Sequence, residues 1–173
     1  MGGDRRSGFH AELREITREL ILLAAHVEEA IPQATDALLD GDVAAAQAVI
    51  DHDDVLDRLS LTIEERCCRA LATQQPVASD LRTLVTALRM VAEIERSGDL
   101  VADICKAVCA LHPVELPPGI RGQLTQMSDL AATLFRMGTD AYAEGDAELA
   151  VSLDRLDDEL DALHASFRET VLR

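Results

Sequence analysis

Acidic residues one helical turn apart recur along this sequence: Asp53 with Asp57, Glu95 with Asp99, and Asp157 with Asp161. Positions i and i+4 of a helix share a face, with Cβ atoms roughly 5–6 Å apart, so two such carboxylates can turn oxygen ligands toward one hard cation. A single pair is a weak signal, because acidic helices carry such pairs as solvated faces or as ion-pair partners of arginine. Arg58, Arg82, Arg89, Arg96 and Arg155 are available for that role. Recurrence and register strengthen the signal. Leu81, Leu88 and Ala102 keep a seven-residue series whose remaining place is Glu95, while Val85 and Ala92 lead to Asp99. This spacing predicts that Glu95 and Asp99 lean into an apolar register, where an unpaired carboxylate is costly and needs a metal or an arginine to compensate it. Asp53 and Asp57 are expected on the flank of a stripe made by Val49, Leu56, Leu59, Ile63 and Ala70, and Asp157 and Asp161 repeat the pattern later in the chain.

Other chemistries find little support. A di-iron carboxylate bundle requires Glu-x-x-His twice, and the nearest approach is Asp161 with His164. There is no P-loop, dinucleotide fingerprint, HExxH or GxSxG elbow. The five histidines are scattered, which reads as surface or packed residues rather than catalysts. Four cysteines, Cys67, Cys68, Cys105 and Cys109, lack CxxC spacing and read as reduced thiols that fill small apolar sites. The sequence predicts a binding protein and not an enzyme.

The elements that must hold these acids are helices. Hydrophobic residues make up 48% of 173 residues but aromatics only 2%, so packing rests on Leu, Val, Ile and Ala, the residues of helix seams. Turn signals at Asp40-Gly41-Asp42, Gln74-Gln75-Pro76, His112-Pro113 with Pro117-Pro118-Gly119, and Glu144-Gly145-Asp146 divide the chain. Five helices are predicted between them: Ser7–Asp40, Val43–Thr73, Val77–Leu111, Ile120–Ala143 and Ala147–Leu172. Pro32 should kink or interrupt the first. A net charge of −16 repels phosphate backbones and anionic lipid, so nucleic acid is not an expected partner. The apolar run Leu20 to Ala25 is far too short to cross a bilayer, so no membrane insertion is expected.

Shifting the chain by 104 positions aligns Asp36-Ala-Leu-Leu-Asp-Gly-Asp with Asp140-Ala-Tyr-Ala-Glu-Gly-Asp, and Asp53-Asp-Val-Leu-Asp with Asp157-Asp-Glu-Leu-Asp. This internal repeat predicts an all-α protein of tandem three-helix units. Residues 1–112 form the first unit, and residues 113–173 supply the first two helices of the second. Counterparts of Glu95 and Asp99 would fall beyond Arg173, so the sixth helix is expected to be missing. Apolar surface on the fourth and fifth helices then needs a partner, and a homodimer would supply one.

The motifs Gly8-Phe9-His10, Gly41-Asp42, Asp53-x-x-x-Asp57, Gln75-Pro76-Val77-Ala78-Ser79-Asp80-Leu81-Arg82 and Glu95-Arg96-Ser97-Gly98-Asp99 follow one another in that order. Together they resemble the PhoU family of phosphate-uptake regulators, from about Ser7 to the end of the chain. The resemblance implies tandem three-helix bundles and a cytoplasmic, non-catalytic adaptor that restrains phosphate-starvation signalling and phosphate import. The implied partners are a sensor histidine kinase of the phosphate regulon and the ATPase subunit of the phosphate ABC transporter. It also implies iron or zinc clusters, with Asp53, Asp57, Glu95, Asp99, Asp157 and Asp161 as ligands. Leu100 stands where the family often has His, and Asp103 where it often has Asn. The alternative reading is a carboxylate metal-binding bundle with a storage or buffering role.

Overall fold

Two turns of the same sequence pattern take the same shape. Gly41 and Gly145 both adopt φ +66°, the left-handed conformation that glycine occupies without strain. The next residue donates its N–H back to a carbonyl five positions earlier, Asp42 to Ala37 and Asp146 to Ala141, each at 2.9 Å. This is the hydrogen bond that closes a helix end at a left-handed glycine. Each aspartate then caps the following helix: Asp42 accepts from the N–H groups of Ala44 and Ala45, and Asp146 from those of Glu148 and Leu149. The repeat seen in sequence is thus a repeat of local hydrogen bonding.

The computed structural model describes residues 2–113 and 115–172, with side chains from residue 7 onward. Five helices run in chain order: α1 Gly2–Asp40, α2 Val43–Gln74, α3 Ser79–Leu111, α4 Pro118–Glu144 and α5 Ala147–Val171. At 39 residues, α1 is about 58 Å long at 1.5 Å per residue. Among the described residues there is no strand, and no helix is long and apolar enough to cross a membrane.

The first three helices form a bundle, each touching the other two. One face of α1 is buried from Phe9 to Ala37. Phe9, Leu13, Ile16, Leu20, Leu23, Ala24 and Val27 meet Leu56, Ile63 and Cys67 of α2 and Leu84, Ala87, Val91 and Ile94 of α3. Farther along, Ala30, Ala34 and Ala37 meet Ala46 of α2 and Val101, Cys105 and Val108 of α3 in a second cluster built from smaller side chains. Helix α4 lies along α1 and lays Phe135 and Tyr142 on the larger cluster. Arg121 anchors the start of α4 to the end of α1, donating to the Leu39 carbonyl and pairing with Asp40. A cation there suits the free carbonyls and negative pole of a helix C-terminus. Among the described helices α5 touches α4 alone, and it has no fully buried residue.

The structure corrects three expectations. Helix α1 continues through Pro32, so the interruption expected as one outcome there does not occur. Buried Ala30, Ala34 and Ala37 fix both flanks of the proline, and packing on α2 and α3 outweighs the missing N–H. Helix α3 begins at Ser79 rather than Val77, because Ala78 takes φ +50°. The register of α3 also differs. Its buried face is Leu84, Ala87, Val91, Ile94, Gly98, Val101, Ala102, Cys105 and Val108, so Ala102 of the expected series is buried, whereas Leu81, Val85 and Asp99 are exposed and Glu95 is only half-buried.

All four cysteines are free thiols, and their surroundings differ sharply. Burial pushes Cys67 and Cys105 up to about 11, so both stay protonated near neutrality. Cys68 is exposed and Cys109 half-buried. With a disulfide reagent at pH 8, Cys68 should react first and Cys109 more slowly, while Cys67 and Cys105 should stay protected until denaturant is added. Four equal rates in the native protein would mean that the bundle core is open.

Candidate metal centre

Helices α2 and α3 form a hairpin about the Gln75–Ala78 turn, which makes them antiparallel neighbours. Positions equidistant from the turn therefore face one another. Asp53 and Asp99 each lie 23 positions from Pro76, and Asp57 and Glu95 each lie 19. The fold accordingly gathers Asp53, Asp57 and Asp99 so that one carboxylate oxygen from each lies within 4.8 Å of the others. Asp53 is half-buried at the edge of the seam, and the other two are exposed. Gly98 makes this approach possible. A Cβ built there would meet Leu56 Cδ1 at a tight 3.1 Å and stand at ordinary contact, 3.8 Å, from Asp53 Oδ1, so a side chain larger than alanine would press on the core.

The other three predicted ligands are placed differently. Glu95 stands next to the same negative field but is not one of the three converging groups. Asp157 and Asp161 are exposed on α5, and no third acid joins them among the described residues. The expectation that Glu95 and Asp99 intrude into the core is corrected by the register of α3. Both lie on the rim beside the buried stripe, where water can reach them.

Burial raises the pKa of Asp53, with repulsion from Asp57 and Asp99 adding to it and Lys106 opposing it. Glu95 is raised first by burial, then by Asp99, Asp57, Glu64 and Asp53. Among the described residues no arginine or lysine forms an ion pair with any of the six predicted ligands. The nearby Lys106 is held by Asp103 at 2.8 Å. Three carboxylates without a paired cation fit a metal ion better than an arginine network. Oxygens about 2.0–2.6 Å from one cation stand no more than about 5 Å apart, so the observed spread suits a single ion. Asp53, Asp57 and Asp99 would hold it, with water completing the shell.

Two features here had no signal in the sequence reading. One is Gly98 as the contact that sets the α2–α3 spacing. The other is a cleft of about 450 Å³ where α1, α2 and α3 meet, with His26, His52 and Asp53 in its walls. It opens where α1 changes from large apolar side chains to alanine.

Comparison with known proteins agrees with this architecture. The family model described as PhoU domain matches residues 20–108 and 124–173. The phosphate-specific transport system accessory protein PhoU homolog of Rhizobium meliloti (strain 1021) is 34% identical over 164 residues, covering 94% of this chain and 69% of that protein. The PhoU homolog 2 of Mycobacterium tuberculosis is 34% identical over 160 residues, covering 92% of this chain and 75% of that protein. The crystal structure of PhoU from Pseudomonas aeruginosa superposes with a TM-score of 0.89 at 29% identity, covering 95% of this chain and 78% of that one. The phosphate transport system regulatory protein PhoU from Streptococcus pneumoniae gives 0.86 at 29%, with 95% and 77% covered.

Two outcomes follow for variants. A pKa raised on folding means that the ionised carboxylate costs stability above that pKa, so Asp53→Asn should raise the melting temperature of metal-free protein at pH 7.5 by about 1–3 °C. The same change should abolish any further rise caused by excess Mn²⁺. A lower metal-free melting temperature would show that the Asp53 carboxylate is already stabilised by the protein. Gly98→Val should cost about 1–3 kcal/mol in urea unfolding through overpacking. Gly98→Ala should stay near wild type, because Leu56 can yield slightly and alanine gains about 1 kcal/mol of helix propensity. Equal losses in the two variants would remove the role given to this contact.

Proposed function

The chain belongs to the PhoU family, and on that premise we propose that it regulates phosphate uptake and phosphate-starvation signalling in the bacterial cytoplasm by binding other proteins, not by catalysis. The observation that carries this reading is the extent of the match. Relatives named as phosphate-specific transport system accessory proteins align with 92–94% of the chain at 34% identity. The proposed partners are a sensor histidine kinase of the phosphate regulon and the ATPase subunit of the phosphate ABC transporter. Residues 1–112 act as one three-helix unit in this reading, and residues 113–173 as the first two helices of a second.

The surface supports a protein-binding role. On α5 the series Leu149, Leu153, Leu156, Leu160, Leu163 and Phe167 repeats at helical spacing, yet every member is only half-buried. A hairpin that leaves its seam half-open can bury further apolar area against a protein surface, and a homodimer is the simplest arrangement we propose. Near the α2–α3 turn Val77 and Leu81 are exposed as well.

A second reading is favoured by one specific observation, the convergence of Asp53, Asp57 and Asp99. In that reading the chain holds iron or zinc on its surface, as a structural part of the regulator or in a storage or buffering role. The two are separable, since a regulator responds to phosphate and a buffer responds to metal supply.

Deleting the gene in its own bacterium should switch on phosphate-repressible phosphatase despite abundant phosphate, and returning this chain should silence it. Unchanged phosphatase after deletion would count against the regulatory role. Metal-sensitive growth of the same strain would then favour the buffering role.

A further inference from the structure

His26 of α1 and His52 of α2 are brought together at the mouth of the cleft beside Asp53. Nε2 of His52 lies 3.3 Å from Nδ1 of His26, and the rings are tilted at 59° with centroids 5.1 Å apart. In the metal-free protein this contact is a hydrogen bond between the two ring nitrogens, its direction set by the tautomers. The separation equals the edge of a zinc coordination tetrahedron: two nitrogens each about 2.0–2.1 Å from the metal stand roughly 3.3–3.4 Å apart. The rings are tilted and not stacked face to face, so the contact between them runs through these two nitrogens.

We propose that His26 and His52 form a second cation site, chemically distinct from the three-carboxylate group, that takes a borderline divalent metal of the zinc class through His26 Nδ1 and His52 Nε2. Imidazole nitrogen favours zinc, copper and nickel, whereas carboxylate oxygen favours harder ions. The surroundings suit a cation: the cleft is lined by Glu29 and Asp53 as well as the histidines, and no lysine or arginine lines it. Its volume of about 450 Å³ leaves room for water or a small ligand at the remaining coordination positions. The lining residue Asp53 also belongs to the carboxylate group, so the two sites share one wall of the cleft. Binding needs both facing nitrogens unprotonated, with the protons on His26 Nε2 and His52 Nδ1. A plain hydrogen bond would instead leave one facing nitrogen protonated. The inference does not depend on the regulatory role.

The test is zinc titration of the full chain by calorimetry in a Cys68→Ser, Cys109→Ser background, so that accessible thiols do not compete. With Asp57→Asn and Asp99→Asn added, one zinc-binding event should persist. Adding His26→Gln or His52→Gln should then weaken it by about tenfold or more. Nitrogen NMR on the otherwise wild-type chain gives an independent answer should a variant fail to fold: zinc should shift His26 Nδ1 and His52 Nε2 and leave the outer nitrogens protonated. Unchanged zinc affinity in both histidine variants, or imidazole nitrogens that ignore zinc, would overturn the site and leave a simple hydrogen bond.

Discussion

Burial of one face of α1 is the constraint on which the rest of the structure depends. That face meets α2 and α3 throughout the bundle, while α4 lies against the same helix. Ile16, Leu20, Leu23 and Val27 are almost wholly removed from solvent, each contributing on the order of 1.5–3 kcal/mol by transfer from water. Beyond Val27 the face continues as Ala30, Ala34 and Ala37, which lets the helices close up but fills less space. The cleft beside Asp53 sits at that change of side-chain size. The cleft is thus a consequence of how α1 is graded along its length.

Electrostatics adds a second constraint. With 32 acidic against 16 basic residues, the chain cannot neutralise every acid internally. The ion pairs that form between helices or beside this group lie on other acids: Arg66 on Glu12 and Glu19, Arg136 on Glu28, Arg121 on Asp40, and Lys106 on Asp103. Asp53, Asp57 and Asp99 are left to repel one another. Such a group is tolerable only at the rim, where water screens it. The same placement that makes the metal-free protein tolerable leaves the group open to solvent, where the proposed cation would approach it.

Much of this was legible in sequence because it is set locally. Asp-Gly-Asp and Glu-Gly-Asp specify a left-handed glycine and a capping aspartate through contacts within a few residues, and both turns formed as their spacing implies. The mirror placement of Asp53 and Asp99 about Pro76 was also present in the numbering, since a short turn makes equidistant positions neighbours. The register of α3 was misread for a physical reason. Leu81 and Leu88 carry a strong apolar signal, but the buried stripe includes Ala87, Gly98 and Cys105, small residues chosen for close helix approach instead of hydrophobicity. The His26–His52 contact depends on how α1 and α2 rotate about their axes. Both residues lie 13 positions from Leu39 at the hairpin turn, yet only the packed bundle shows that their rings meet.

The two aspartate pairs of the repeat separate what spacing alone supplies from what tertiary structure adds. Asp53 with Asp57 and Asp157 with Asp161 have the same i,i+4 relation and follow equivalent turns. The first pair gains Asp99 because α3 folds back antiparallel across α2. The second lies on α5, which among the described helices packs on α4 alone, and among the described residues no third acid converges on it. Two exposed carboxylates provide a small part of the six to eight oxygens that a hard cation such as calcium prefers, and they hold those oxygens on flexible, solvated side chains. A third carboxylate from a neighbouring helix raises the local charge and fixes the direction from which the ion is approached. Helical spacing therefore supplies two of the three carboxylates of the proposed centre, and the facing helix supplies the third.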